Sequence, residues 1–215
     1  MTTTLPVGVP ARPLRRDAAE NRQRILAAAA TVFAEHGLDA GVEEVARAAG
    51  VGTGTLYRRF PTKDALVTEL VVELLSEVAD EARSALAHAD GRGLHRFLRA
   101  TAERQAAHRG CLPRLWDESG AEGLALEIRG LIAELLADAQ AHGEVRSDLS
   151  VTDVSVLLWA VRGVIETGRE AAPEAWRRHL SVVLLGLAPS PEPLDGEPLS
   201  AEQVGRVGKA RRAVT

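Results

Sequence analysis

A glycine turn between two short apolar-faced segments limits the fold of this chain more than any other feature of its sequence. The segment before the turn, 42–49, carries apolar side chains at helical spacing and stops at Gly50. The segment after it, 53–60, places Leu56 and Phe60 on one side of a helix. Because glycine adopts the left-handed conformation at low cost, Gly50 can end the first helix and turn the chain sharply. The sequence therefore predicts two short helices joined by a tight turn.

The composition favours helices in the remainder of the chain. Apolar residues make up 46% of the 215 residues and aromatic residues only 3%, so the core must consist mainly of leucine, valine and alanine. Leucine and alanine are strong helix formers. Further helices are predicted over 21–36, from 63 onward, and over 94–108, 110–123, 124–141, 151–167 and 173–187. We therefore expect an all-α protein.

The pattern divides the chain into four parts. Residues 1–16 are predicted to be a flexible basic arm, and 17–62 contain the paired short helices. Residues 63–188 contain the longer helices, and 189–215 are predicted to be a disordered tail, because prolines and glycines replace the apolar residues there.

Charge is distributed unevenly between these parts. The net charge of the chain is −4, but the first 64 residues hold nine Lys and Arg against seven Asp and Glu. The remaining residues hold 17 Lys and Arg against 23 Asp and Glu. Only the N-terminal part therefore has the positive charge that favours contact with phosphate groups.

Several other classes of protein are disfavoured. Cys111 is the only cysteine, which excludes an internal disulfide and a cysteine zinc cluster. The six histidines are scattered, and no nucleophile elbow or His-Glu-x-x-His motif occurs, so we expect no enzyme, no metal and no cofactor. The N-terminus lacks the pattern of a signal peptide, and no apolar run is long enough for a membrane span. We expect a soluble, cytoplasmic protein.

The second short helix carries side chains suited to contact with DNA. Its polar candidates are Thr53, Thr55 and Tyr57, and Gly54 allows close approach to a duplex. Its charged candidates are Arg58 and Arg59, joined by Lys63 on the next helix and by Arg15 and Arg16 on the arm. Two short helices with this arrangement are typical of a helix-turn-helix, in which one helix braces the other in the major groove.

Two segments of the chain resemble the DNA-binding region of the TetR family of regulators: NRQRILAAAATVFAEHG and AGVGTGTLYRRFPTKDALV. The resemblance is strong over 17–70 and weaker over the C-terminal half. It implies an N-terminal three-helix helix-turn-helix domain and a C-terminal helical domain that binds a small molecule and forms a homodimer. The family's recognition-helix positions fall on Thr53, Gly54, Thr55, Tyr57, Arg58 and Arg59, and its phosphate-binding lysine falls on Lys63.

Three positions depart from the family's pattern. Gly52 stands where serine or glutamate is common, and Arg59 stands where histidine is common. These two changes indicate an altered base preference or phosphate contact. Gly41 and Val42 stand where a threonine often caps the preceding helix, which leaves that cap weaker by about 1 kcal/mol.

The last two long helices are the expected dimer interface. The helix over 151–167 is apolar on nearly every side, so it must be buried against its own core and against a second surface. Together with the next helix it would form half of a four-helix bundle completed by a second subunit. A buried hairpin within a monomer is the alternative. The expected interface residues are Val154, Leu157, Leu158, Val161, Ile165, Trp176, Leu180, Val183, Leu184 and Leu187.

The effector site is the least determined part of the chain. Candidate lining residues are Phe97, Leu112, Trp116, Leu131 and Trp159, with plain core packing as the alternative for each. Polar groups that could orient a ligand are His95, Arg99, Glu103 and Cys111. The predicted function is a DNA-binding transcriptional repressor, released from a pseudo-palindromic operator by a small-molecule ligand. The alternative is a helical small-molecule-binding protein whose helix-turn-helix is vestigial.

Overall fold

The computed structural model describes residues 12–110 and 121–212, with side chains described for 18–110 and 121–207. These ranges contain nine helices and no strand, which confirms the predicted all-α class. The helices are α1 (Arg12–His36), α2 (Val42–Ala48), α3 (Thr53–Arg59), α4 (Lys63–Leu86), α5 (Gly93–Ala107), α6 (Glu122–Ala141), α7 (Val151–Thr167), α8 (Ala175–Gly186) and α9 (Ala201–Arg212). Most of the short helix predicted over 110–123 lies outside the described residues.

The N-terminal helices pack around a core of their own. This first core holds buried residues of α1, α2 and α3 together with the start of α4. Its largest fully buried side chains include Ile25, Leu26, Phe33, Leu56 and Leu66. The helical spacing of these apolar residues places them on the inner faces of their helices, so the paired short helices are held as one unit.

A second, larger core fills the remainder of the molecule. It is built from the C-terminal half of α4 and from the inner faces of α5, α6, α7 and α8. Phe97, Leu94, Leu98 and Leu135 lie at its centre with no measurable exposure. None of the helices within the described ranges is both long enough and apolar enough to cross a membrane.

Helix α4 belongs to both cores. Leu66, Val67 and Leu70 pack in the first core, whereas Val78 and the alanines that follow pack in the second. The helix begins with a side-chain cap, because the Thr62 Oγ1 accepts a hydrogen bond from the backbone N–H of Ala65 at 3.0 Å. The expected boundary at residue 62 thus coincides with the start of α4, while the first core extends along α4 to Leu70.

The structure differs from the sequence-based prediction at both ends of the chain. Helix α1 begins at Arg12, whereas the predicted arm extends to residue 16. At the other end, 201–212 form α9 within a segment predicted to be disordered. Ser200 and Gln203 cap α9 reciprocally: the Ser200 backbone N–H donates to the Gln203 Oε1, and the Gln203 backbone N–H donates to the Ser200 Oγ. Such a capping box stabilises the first turn of a helix that has few apolar residues.

The segment between α8 and α9 is held against the loop between α6 and α7 by an ion pair of that loop. Arg146 and Asp148 contact each other through two hydrogen bonds of 2.5 and 2.8 Å. Arg146 also donates to the carbonyl of Glu192 at 2.5 Å, and Asp148 accepts from the backbone N–H of Leu194 at 3.0 Å. We call residues 188–194 the C-terminal strap. These charged contacts hold the strap where its composition predicts disorder.

Candidate nucleic-acid interface

The turn between α2 and α3 has the geometry that the sequence predicts. Gly50 adopts the left-handed conformation, with φ +66°. Its backbone N–H donates to the carbonyl of Arg47, and the N–H of Val51 donates to the carbonyl of Ala46 at 3.0 Å. These two bonds form a Schellman motif, which satisfies the last carbonyls of α2 and redirects the chain into α3.

Helix α3 has one buried side and one exposed side. Leu56, within the helix, and Phe60, which follows it, are buried in the first core. The exposed side carries Thr53, Gly54, Tyr57, Arg58 and Arg59. Tyr57 is the aromatic side chain on this surface and is 43% exposed. Burial of the apolar side chains stabilises the packing of α3 on the first core. This packing alone is sufficient to direct the polar side of α3 outward.

Thr55 is the exception among the predicted contact residues. It is half-buried, and its Oγ1 accepts a hydrogen bond from the Arg58 Nη2 at 3.3 Å. This bond orients the guanidinium of Arg58 along the helix surface. The structure therefore gives Thr55 a supporting position beside Arg58, which the spacing alone does not reveal.

Gly54 and Gly52 are open to the outside. A Cβ atom added at either residue would meet no other atom within 4 Å. Packing inside the protein therefore does not require glycine at Gly54, in contrast to Gly50, whose positive φ requires it. A side chain at residue 54 would extend outward from the exposed side of α3.

Lys63 lies at the first residue of α4, next to the end of α3. It is half-buried, and its Nζ lies 5.9 Å from the centre of the Phe33 ring. The N-terminus of a 24-residue helix has free N–H groups and the positive end of the helix dipole, so it favours a phosphate group. Lys63 therefore combines a side-chain charge with the favourable end of α4.

The other basic residues of this region differ in where the structure places them. Arg15 and Arg16 lie within α1, and their side chains lie outside the described part of the structure. Arg47, which the sequence analysis missed, is exposed in the last turn of α2 beside the glycine turn. Its position two residues before Ala49, where the short apolar stripe ends, could have identified it. Gly41 provides no side-chain cap to α2, as predicted, and only its carbonyl accepts hydrogen bonds there.

The predicted interface residues of α7 and α8 lie mostly inside the protomer. Eight of them are buried in the second core: Val154, Leu157, Val161, Ile165, Trp176, Leu180, Leu184 and Leu187. Leu158 and Val183 are half-buried. The apolar side chains that the two helices expose are others, namely Val156, Val182 at 62% and Leu185 at 78%. These eight side chains therefore pack within the protomer, and the interface between protomers stays a prediction.

Three of the predicted effector residues lie in the described part of the structure. Phe97 is buried in the second core, Leu131 and Trp159 are half-buried, and Leu112 and Trp116 lie outside the described residues. The cavities that open at the surface of the described part include the following two. One of about 250 Å³ is lined by Glu103, Arg109, Trp176 and their neighbours, and one of about 310 Å³ is lined by Arg92, His95, Arg96, Arg99 and Glu144. Neither is lined by Phe97, Leu131 or Trp159.

Two buried oxygen atoms in α5 were also missed. The Thr101 Oγ1 and the Gln105 Oε1 are buried and have no hydrogen-bond partner, and each residue is at most 5% exposed. Most buried polar groups are paired, so two unpaired oxygens four residues apart on one helix are unusual. The sequence signal for them was the position of polar residues on an otherwise apolar face of the predicted helix.

Similarity to known proteins covers residues of both cores. Residues 25–70 match the family described as "Bacterial regulatory proteins, tetR family". Residues 89–189 match the "Transcriptional regulator SbtR-like, C-terminal domain" family. The chain is 29% identical over 192 residues to the HTH-type transcriptional repressor KstR2 of Mycolicibacterium smegmatis, covering 80% of this chain and 93% of that protein. It is 30% identical over 185 residues to KstR2 of Rhodococcus jostii, covering 78% and 91%.

Solved structures show the same similarity. A TetR transcription regulatory protein from Mycobacterium vanbaalenii superposes with a TM-score of 0.63 at 36% identity, covering 82% of this chain and 99% of that one. A TetR transcriptional regulator from Streptomyces coelicolor superposes with a TM-score of 0.62 at 34% identity, covering 79% and 99%. The family resemblance of the helix-turn-helix thus extends through the helical domain that follows it. This chain belongs to the TetR family of bacterial regulatory proteins and is a DNA-binding transcriptional regulator.

Proposed function

We propose that the protein is a homodimeric repressor that binds a pseudo-palindromic operator and leaves it when a small molecule binds. The observation that carries this proposal is the exposed side of α3, where Tyr57, Arg58 and Arg59 stand outward from a buried base. Two such helices in a two-fold dimer enter successive major grooves about 34–36 Å apart. The two KstR2 relatives are repressors, which supports repression as the direction of control.

Selection of duplexes from a random pool tests DNA recognition. We expect the purified protein to select an inverted repeat whose half-sites are about one helical turn apart. Its affinity for that site should fall steeply as salt concentration rises, because phosphate contacts release counterions. Replacement of Tyr57 and Arg58 by alanine should abolish binding, while Arg206→Ala on the exposed surface of α9 should leave it unchanged. A protein that selects no duplex over a polyanion competitor would overturn the proposal.

Exposed apolar residues support the dimer. Val182 and Leu185 on α8 and Val156 on α7 lie on the outer sides of the two helices whose inner sides fill the second core. Exposed apolar side chains on adjacent helices are costly in water and favour an interface. A self-complementary pair of such surfaces gives closed two-fold symmetry, which the inverted repeat of the operator would match.

The unpaired oxygens of α5 support an effector site in the second core. A ligand that donates hydrogen bonds to the Thr101 Oγ1 or the Gln105 Oε1 would satisfy atoms that the free protein leaves unsatisfied. Such a ligand can release DNA only if it binds the released conformation more tightly than the bound one. A thermal-unfolding screen of small molecules tests this: a hit should lower operator affinity, and the double replacement Thr101→Val and Gln105→Leu should abolish its effect. A ligand that stabilises the protein without lowering operator affinity would contradict this scheme.

A further inference from the structure

The C-terminal end of α1 is attached to the second domain by two arginines. The carbonyl of Ala34 accepts a hydrogen bond from the Arg169 Nη2 at 3.1 Å and another from the Arg109 Nε at 3.4 Å. Arg109 follows the end of α5, and Arg169 follows the end of α7. One carbonyl of the DNA-binding unit therefore accepts hydrogen bonds from side chains just beyond the ends of two helices of the other domain.

Backbone contact reinforces this attachment. A Cβ atom added at Gly110 would lie 1.7 Å from the carbonyl oxygen of Phe33 and 2.8 Å from the backbone nitrogen of Ala34. No side chain fits there, so the chain just beyond α5 lies directly against the backbone of α1. We call Arg109, Gly110 and Arg169 the α1 seat.

The electrostatics of the α1 seat are favourable. The last four carbonyls of a helix have no partner within the helix, and Ala34 is among them in α1. These carbonyls form the negative end of the helix dipole, where a cation is stabilised. Gly37 follows α1 and turns the chain at φ +75°. The Arg169 guanidinium lies 3.9 Å from the position that a Cβ atom added at Gly37 would take. Two guanidinium groups thus lie at the negative end of the α1 dipole.

The α1 seat provides a second connection between the two domains. Helix α4 is the first, since it runs through both cores. A single helix leaves the DNA-binding unit free to swing about its axis, whereas a second contact at the far end of α1 fixes its direction. We propose that Arg109, Gly110 and Arg169 are positioning residues that set the distance between the two α3 helices of the dimer. This inference rests on the proposed dimeric operator binding.

The experiment measures half-site spacing. Wild-type protein and the variants Arg169→Met, Arg109→Met and Gly110→Ala are tested against the selected inverted repeat and against repeats lengthened or shortened by single base pairs. We expect the variants to bind the original repeat about 2- to 30-fold more weakly. We also expect them to lose the preference for its spacing, while binding to a single half-site is unchanged. Loss of folding alone would weaken all duplexes in parallel and would not change this preference.

Two further variants serve as a conservative replacement and as a surface control. Arg169→Lys retains a cation at the end of α1 and should restore part of the spacing preference. Arg206→Met, on the exposed surface of α9, should behave as wild type. Variants that bind every spacing with the wild-type pattern would overturn the inference while leaving the proposed function intact. A wild-type protein that selects no duplex would overturn the proposed function, and the inference would fall with it.

Discussion

At the scale of single residues, a side chain at Gly54 should affect folding and DNA binding differently. Its surroundings leave room for a side chain, and alanine is favoured over glycine inside a helix by up to about 1 kcal/mol. We therefore predict that Gly54→Ala retains or raises the free energy of unfolding but weakens operator binding, because the added methyl group meets the duplex. Urea unfolding and operator titration measure the two effects.

Gly123 provides the matched control for Gly54. It is also the second residue of its helix, and a Cβ there also meets no atom within 4 Å. Gly123→Ala should change stability in the same direction and leave DNA affinity unaltered. Equal operator affinity of the two variants and the wild type would show that no duplex approaches Gly54 closely.

The sequence predicted the exposed residues of α3 better than it predicted the effector site. Tyr57 and Arg58 could be assigned because Leu56 and Phe60 define the buried side of a short helix, so residues on the opposite side face outward. No such rule exists for a cavity, since any inward side chain can line one. Phe97 therefore fills the core although it was a candidate for ligand contact.

At the scale of secondary-structure elements, the turn between α2 and α3 depends on the conformation of one glycine. Gly50 has φ +66°, where a side chain costs about 1–2 kcal/mol. We predict that Gly50→Ala lowers the free energy of unfolding by about that amount and weakens operator binding through displacement of α3. Gly52→Ala, at φ −71° with open surroundings, is the control for stability and should have a smaller effect. Equal unfolding free energies for the two variants would contradict this account.

The C-terminal strap is predicted to loosen in acid. The Arg146 guanidinium, and secondarily the backbone N–H of Leu194, lower the pKa of Asp148 below its ordinary value of 3.8. A carboxyl whose pKa is lower in the folded state stabilises the fold above its ordinary pKa, and this contribution is lost as the pH falls through the lower folded value. Asp148→Asn should therefore loosen the strap already at neutral pH.

Hydrogen–deuterium exchange of peptides covering 188–200 measures this effect. Exchange in the Asp148→Asn variant should be faster than in the wild type at neutral pH. Asp195→Asn makes the same change on an exposed residue of the adjoining segment and should leave exchange unchanged. Equal protection in all three proteins would show that the ion pair does not hold the strap.

Three helices show why local patterns predict only part of such a fold. Composition predicted disorder over α9, whereas the Ser-x-x-Gln sequence at its start is a capping box that the composition does not register. In α7 and α8, the periodicity indicated apolar surfaces on more than one side. It could not indicate which side meets the protomer's own core, because both sides carry similar residues. Tertiary contacts make that choice.

At the scale of the whole molecule, the exposed apolar residues of α8 are predicted to join two protomers. Leu185→Glu places a charge at the centre of the proposed interface, so we expect a monomer by light scattering. Operator affinity should fall about 100-fold or more, because the two half-sites would then be bound independently. Leu126→Glu is the control, since Leu126 on α6 is also apolar and 66% exposed. A Leu185→Glu variant that remains dimeric would place the interface elsewhere.

Helix α4 also determines how the molecule melts. The first half of α4 packs in the first core and its second half packs in the second core. If either core unfolds, α4 frays and the other core loses packing contacts. The two domains should therefore denature in one cooperative transition. An isolated DNA-reading fragment that stops at residue 62 would lack Leu66, Val67 and Leu70 and should not fold, whereas one that continues past Leu70 retains every apolar partner of its core.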